Sequence, residues 1–282
     1  MSVSPAAGSV IEVVAHRGAS AMVAEHTLAA FERAIAVGAD ALECDVRLTA
    51  DGHVVCVHDR RIDRTSDGRG VVSTMTLAEL DARDFGSWKP PVDVELAGDR
   101  LLVDEDRRRV LTLDRLLELV TASERHVRLA VEAKHPTRYA GLVEQRIVTV
   151  LGRFGLDRPR GHDSAQVRVM SFSQLSIRRM RALAPRVPTV FLMDRVPLRF
   201  RDGTLPFEAV AAGPSIDIVR SHPGYVARAR RQGHAVHVWT VDDPADVALC
   251  RDLGVSAIIT NRPADVLAAL GRTPPAPVGP TP

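Results

Sequence analysis

The chain has 282 residues, 45% of them apolar and 26% charged, with a formal net charge of +2 at pH 7. Those values match an ordinary globular protein with a sizeable core, and the near-neutral charge gives no reason to expect nucleic acid or an anionic membrane as a partner. No apolar run approaches the ~20 residues of a membrane span, so no stable membrane anchor is expected. Neither a basic n-region nor an apolar h-region precedes Val10, so no secretory signal is expected either. Cys44, Cys56 and Cys250 are odd in number and lack metal-type spacing, which reads as reduced, buried thiols in a cytoplasmic protein.

The first strand is expected at 11–15, with His16-Arg17-Gly18 directly after it. Residues 27–37 place Leu28, Phe31 and Ile35 at helical spacing, and Gly38 ends that helix. Strands at 41–48 and 54–57 follow, joined by Asp51-Gly52, the strongest two-residue hairpin signal in the chain. Residues 60–109 are rich in Asp, Arg, Gly and Pro and read as an inserted subdomain or large loop. Their one convincing helix starts at Leu77, behind a capping box formed by Thr76 and Glu79. Further strands are expected at 127–133, 167–172, 189–193, 216–219, 235–240 and 256–260. Helices are expected at 113–120, 143–154, 175–183 and 247–253, the last opened by Pro244 with Asp242 placed to cap it. Residues 271–282 hold five prolines and no periodicity, and read as a disordered tail.

Alternating strand and helix argues for an α/β fold with a parallel sheet covered by helices. At least eight parallel strands in ~260 residues favour a closed (β/α)8 TIM barrel over an open sheet, spanning 10–270 with the insertion at about 60–109. Nine candidate runs is one too many, and the hairpin accounts for the excess.

The hairpin also concentrates the chemistry. With Asp51-Gly52 as the whole loop, Ala50 faces His53 and His58 lies opposite Asp45. Opposed residues share a face, and Glu43, Asp45 and Arg47 share it too because strand side chains alternate. A polar face turned to water would leave the same pattern. Strands of a parallel α/β sheet are buried on both faces, however, so charges there need partners, a metal or a substrate. Glu132 and Lys134 share a face at another strand end, where an internal ion pair is the plainer reading. Taken with Glu43 and Asp45, Glu132 completes a set of three hard oxygen ligands suited to one divalent metal, Mg2+ or Ca2+. Arg17 and Lys134 supply positive charge for a phosphate, and His16 and His58 can act as general acid and base. Trp239, at a strand end, is either core packing or a wall for the organic part of a substrate. The other histidines, His26 among them, read by default as surface or packing residues. The set reads as a metal-dependent phosphodiester hydrolase.

These residues resemble the glycerophosphodiester phosphodiesterase family from His16 to about Pro263. The ordered series begins with His16-Arg17-Gly18-Ala19-Ser20, Glu25-His26-Thr27-Leu28-Ala29-Ala30-Phe31 and Gly38-Ala39-Asp40. It continues through Glu43-Cys44-Asp45-Val46, Thr49-Ala50-Asp51-Gly52 and Val54-Val55-Cys56-Val57-His58-Asp59. Arg64-Thr65, Thr76-Leu77, Thr112-Leu113, Glu132-Ala133-Lys134, Ser171-Phe172 and Trp239-Thr240-Val241 follow in order. The resemblance implies a TIM barrel with a small insertion after the His58-Asp59 strand. It implies metal ligands at Glu43, Asp45 and Glu132, catalysis by His16 and His58, phosphate binding by Arg17 and Lys134, and a pocket lined by Trp239. It also implies a small glycerophosphodiester as substrate, cleaved to glycerol 3-phosphate and an alcohol. The chain departs from the family pattern at His26, where Asn is usual, at Leu111, where Pro is common, and at Asn261, where Asp is common. Two rival readings are hydrolysis of a lipid phosphodiester in the manner of a lysophospholipase D, and a non-catalytic phosphodiester-binding protein.

Overall fold

A computed structural model describes residues 10–90, 108–136 and 141–272. Nine strands form one sheet: β1 (Glu12–His16), β2 (Ala41–Leu48), β3 (Val54–Cys56), β4 (Arg128–Ala133), β5 (Val167–Ser171), β6 (Thr189–Met193), β7 (Ala211–Pro214), β8 (Ala235–Val238) and β9 (Ala257–Thr260). All except β3 are parallel to their barrel neighbours and follow one another around the ring in chain order, and β1 pairs with both β2 and β9. The sheet therefore closes into an eight-stranded TIM barrel, and β3 hangs antiparallel from the end of β2 as the extra run.

Alternation along each strand divides the core. Small and branched residues such as Val14, Ala41, Ala130, Val190, Ala211 and Ile259 fill the barrel interior. The opposite faces pack beneath α1 (Leu28–Ala36), α3 (Leu113–Ala122), α4 (Leu142–Arg153), α5 (Gln174–Leu183), α7 (Gly224–Arg231), α8 (Pro244–Leu253) and α9 (Pro263–Ala269). The described part of the insertion carries α2 (Leu77–Asp81) behind the expected capping box. Its own apolar cluster of Ile62, Val72, Leu80 and Phe85 packs against Val55 and Val57.

Three local expectations are corrected. Residues 216–219 are not a strand but the start of helix α6 (Ile216–Ser221), capped by Ser215 Oγ; the strand is the preceding Ala211–Pro214. This strand lacks an apolar signal because the interior demands small residues: a Cβ on Gly213 would lie 2.6 Å from Leu192 Cδ2. Helix α8 is capped by Asp243, whose side chain accepts from Ala245 N, and not by Asp242. The hairpin register is displaced by one residue, pairing Val46 with Cys56 and Arg47 with Val55. Thr49 causes this: its N–H donates to His53 O (3.0 Å) and its Oγ1 accepts from His53 N (2.9 Å), leaving a three-residue loop, 50–52, with Gly52 at φ 84°. Asp45 therefore faces Val57, and His58 does not lie opposite it.

At the far end, Gly271 and Arg272 are held in place. Arg272 makes a two-point ion pair with Asp40 at 2.6 Å per contact. The rest of the expected tail, 273–282, lies outside the described residues. All three cysteines are buried and unpaired.

Candidate active site

β1 ends on His16, whose side chain points inward because Val14, two residues earlier, lies in the barrel interior. The chain then turns sharply. Arg17 and Gly18 both take left-handed backbone, φ 56° and 82°, and a Cβ on Gly18 would sit 2.7 Å from the Ala30 backbone. Glycine is required there because the loop lies against α1. The turn aims the Arg17 backbone N–H at Glu43, bonding both its carbonyl (2.9 Å) and its Oε2 (3.1 Å). The Arg17 guanidinium pairs with Asp45 (3.1 Å) and Glu25 (3.0 Å).

Strand register brings the acids together. His16 is the partner of Glu43 in β2, and Asp45 is the partner of Glu132 in β4. Oxygens of Glu43, Asp45 and Glu132 lie within 4.8 Å of one another, all buried. Burial alone would raise Asp45. The hydrogen bond from His26 Nε2 (2.9 Å) and the charges of Lys134 (2.9 Å) and Arg17 outweigh it and hold the carboxyl well below its usual range. Glu43 moves the other way, pushed well up by burial and by the negative charge of Asp45 and Glu132. Glu132 is pushed up to about 7 by burial and Asp45, against the pull of Lys134 at 2.8 Å. Three hard oxygen donors whose mutual repulsion Lys134 and Arg17 only partly relieve fit a divalent cation, and Glu43, Asp45 and Glu132 could hold one.

Both histidines are tethered through Nδ1. Asp242 accepts the Asn261 amide N–H (2.6 Å), so Asn261 Oδ1 is the acceptor that meets His16 Nδ1 at 2.7 Å. The proton therefore sits on His16 Nδ1, and Nε2 is left toward Glu43, 4.0 Å away. Burial, and next the Arg17 charge, press the His16 pKa down to about 4. His58 Nδ1 meets Asp59 Oδ1 at 2.7 Å. Its pKa is also lowered, by burial first, with Asp45 opposing. Arg64 bonds Asp59 (2.7 Å) and clasps Glu25 with two bonds of 2.8 Å. A charged chain thus runs from Arg17 through Glu25, Arg64 and Asp59 to His58.

A cleft of about 100 Å³ opens where these groups meet, at the C-terminal ends of the strands. Seven of the eight residues singled out from sequence line it: His16, Arg17, Glu43, His58, Glu132, Lys134 and Trp239. Asp45 lies beside them, 1% exposed. Trp239 donates its Nε1–H to Gly213 O (2.7 Å) and meets the Phe172 ring edge-on at 5.3 Å, making one wall aromatic. His26 packs, with its ring 6.3 Å from that of Phe31, but it also reaches the acid cluster. It is buried, takes left-handed backbone (φ 59°) and bonds Asp45. Sequence reasoning assigned nothing to Arg47, whose inward placement was visible from its spacing to Asp45.

Comparison with known proteins identifies the family of the chain. Residues 16–265 match the model of the Glycerophosphoryl diester phosphodiesterase family. The chain is 46% identical over 252 residues to a Mycobacterium tuberculosis (strain H37Rv) protein named Probable glycerophosphodiester phosphodiesterase 1, covering 89% of each. It is 32% identical over 257 residues to the Glycerophosphodiester phosphodiesterase of Bacillus subtilis (strain 168), covering 90% of this chain and 84% of that one. Among solved structures, a glycerophosphodiester phosphodiesterase from Agrobacterium tumefaciens superposes with a TM-score of 0.71 at 25% identity, covering 92% and 100%. An Oleispira antarctica phosphodiesterase solved with its product sn-glycerol-3-phosphate shares the fold, with a TM-score of 0.75 at 23% identity, covering 92% and 96%.

Proposed function

Because the chain belongs to the glycerophosphoryl diester phosphodiesterase family and is a glycerophosphodiester phosphodiesterase, we propose that it hydrolyses glycerophosphodiesters such as glycerophosphocholine or glycerophosphoethanolamine to glycerol 3-phosphate and the free alcohol. One observation carries the reading. Three carboxylates, two cationic side chains and two histidines with their Nδ1 atoms already engaged converge on one cleft beside an aromatic wall.

In this reading Glu43, Asp45 and Glu132 hold one divalent cation, Mg2+ or Ca2+. When bound, it would polarise the phosphate and neutralise charge developing on its oxygens. Arg17 and Lys134 keep donors to spare for the other phosphoryl oxygens. Arg17 is fixed by Asp45 and Glu25, and Lys134 by Asp45 and Glu132, so neither must reorganise as charge builds up. His16 and His58 divide the proton transfers. One imidazole takes the proton of the attacking hydroxyl as its oxygen bonds to phosphorus; the other gives a proton to the departing alkoxide as the old P–O bond breaks. Because Asn261 and Asp59 engage the Nδ1 atoms, both transfers run through Nε2. Trp239 and Phe172 would cover the carbon skeleton of the substrate.

The test is product analysis. Glycerophosphocholine incubated with the protein and Mg2+ or Ca2+ should release glycerol 3-phosphate and choline in equal amounts, and His58→Ala should release both about 10²-fold or more slowly, at a residual rate that can still be measured. Choline phosphate with free glycerol would show that the other ester bond is cut. Absence of any product from well-folded, metal-loaded protein would sink the reading.

A further inference from the structure

His58 lies beyond the end of its strand, and its main chain is held by a side chain from outside the cleft. β3 ends at Cys56, and the last ladder bond runs from Val57 N to Asp45 O at 3.0 Å. His58 comes next, beyond the strand, in a bend. Its ring is tethered by Asp59, but a tether on the ring does not place the backbone that carries it. That backbone is held by Arg47. Arg47 Nε and Nη2 donate to the His58 carbonyl oxygen at 3.0 and 2.7 Å. Arg47 stands two residues after Asp45 on the same inward face of β2, and its guanidinium reaches over the point where the hairpin ladder stops. A planar guanidinium directs two neighbouring N–H groups at one acceptor in a fixed fork, which an ammonium group does not reproduce. The cleft wall includes His58 but not Arg47. The contact to Arg47 is thus to the main chain of a cleft residue, from outside the cleft.

We infer that Arg47 is a positioning residue for His58: its two N–H groups lock the His58 carbonyl and, together with Asp59 on the ring, set the direction of Nε2 into the cleft. This rests on the reading of His58 as a proton carrier. Arg47 replaces the missing strand ladder with a side chain, so its effect on turnover passes through one imidazole.

The experiment pairs Arg47→Met, which keeps the apolar stem and removes both donors, with Arg47→Lys, which retains a single ammonium donor. Each is assayed on glycerophosphocholine with metal present, alone and combined with His58→Ala. Arg47→Met alone should lower kcat about tenfold or more with KM within about twofold, and Arg47→Lys should recover part of the loss. In the His58→Ala background, Arg47→Met should cost no more than about a further twofold, because the group it acts through is gone. An equal loss in both backgrounds, or an unchanged kcat, would overturn the assignment. A second readout needs no turnover. In protein labelled with 15N at histidine, Arg47→Met and Arg47→Lys should shift or broaden the His58 ring signals and leave those of His16 in place. Unmoved His58 signals would overturn the clamp. If the parent hydrolyses nothing, the functional reading fails by itself, and the ring signals still decide whether Arg47 holds His58.

Discussion

The two mouths of the barrel both bury charge, but in opposite balance. At the N-terminal mouth, Glu12 lies between Arg168 (2.7 Å) and Arg128 (3.3 Å), so the one acid of this group already has two cations against it. At the C-terminal mouth, Glu43, Asp45 and Glu132 share Arg17 and Lys134, and Arg17 is itself divided with Glu25. The acids outnumber the cations there, and two of them have raised pKa values, from burial first and then from the neighbouring carboxylates. The N-terminal mouth opens the larger cavity, about 880 Å³ against about 100 Å³. Yet among the described residues the only group arranged for a metal lies in the smaller one. Charge imbalance, and not cavity size, marks the site, in keeping with the placement of barrel chemistry at the C-terminal face.

The contrast can be broken or sharpened by substitution. The largest expected effect is on turnover: His16→Ala should lose about 10²-fold or more in kcat with the fold intact, as for a deleted acid or base. A rate within a few-fold of the parent would remove His16 from the chemistry. At the other mouth the effect should fall on stability alone. Glu12→Gln leaves Arg168 buried without its carboxylate and should cost roughly 3 kcal/mol in urea unfolding, with turnover of the folded protein unchanged. Loss of activity in proportion would mean that the two mouths are coupled.

Glu43→Gln separates the mouths further because its sign depends on metal. Removing one of three crowded acids should leave the metal-free protein as stable or up to about 1 kcal/mol more stable, while abolishing most of the stabilisation that added Mg2+ or Ca2+ gives the parent. Equal metal-induced stabilisation in parent and variant would refute the ligand assignment. The smallest effect is one of pH. Glu132 is held up to about 7 in the folded chain against an ordinary value of 4.5, so its contribution is fully present below 4.5 and lost as pH rises through 7. His16, pressed down to about 4, and His58 act in the opposite sense over the same window, so the prediction is a difference: metal-free parent should lose stability relative to Glu132→Gln as pH rises from 4.5 to 7. A stability difference between parent and Glu132→Gln that does not change from pH 4.5 to 7 would contradict the repulsion inferred at this mouth.

Much of this was readable in the sequence because barrel strands announce themselves by apolar runs, and because period-two spacing alone puts Glu43 with Asp45 and Glu132 with Lys134 on one face. Strand β7 escaped detection: an interior strand of Ala, Gly and Pro has no apolar signal, and the β-branched run after it belongs to a helix opened by Ser215. The hairpin register slipped because a side chain, Thr49, closes the loop that the backbone signal assigned to Asp51-Gly52. The bond of His26 to Asp45 was not legible because it is made through a left-handed turn 19 residues away in sequence, which no local pattern encodes. Asn261, 245 residues from the His16 ring it fixes, is in the same position. Groups placed by strand periodicity were legible; groups placed by loops and long-range hydrogen bonds were not.

The central claim is that the crowded carboxylates of the C-terminal mouth hold a divalent cation without which the phosphodiester is not cleaved. The most direct test follows glycerol 3-phosphate release from glycerophosphocholine as Mg2+ or Ca2+ is restored to EDTA-stripped protein. The rate should start near zero and saturate at one metal per chain. Full activity in EDTA from metal-stripped protein would contradict the account.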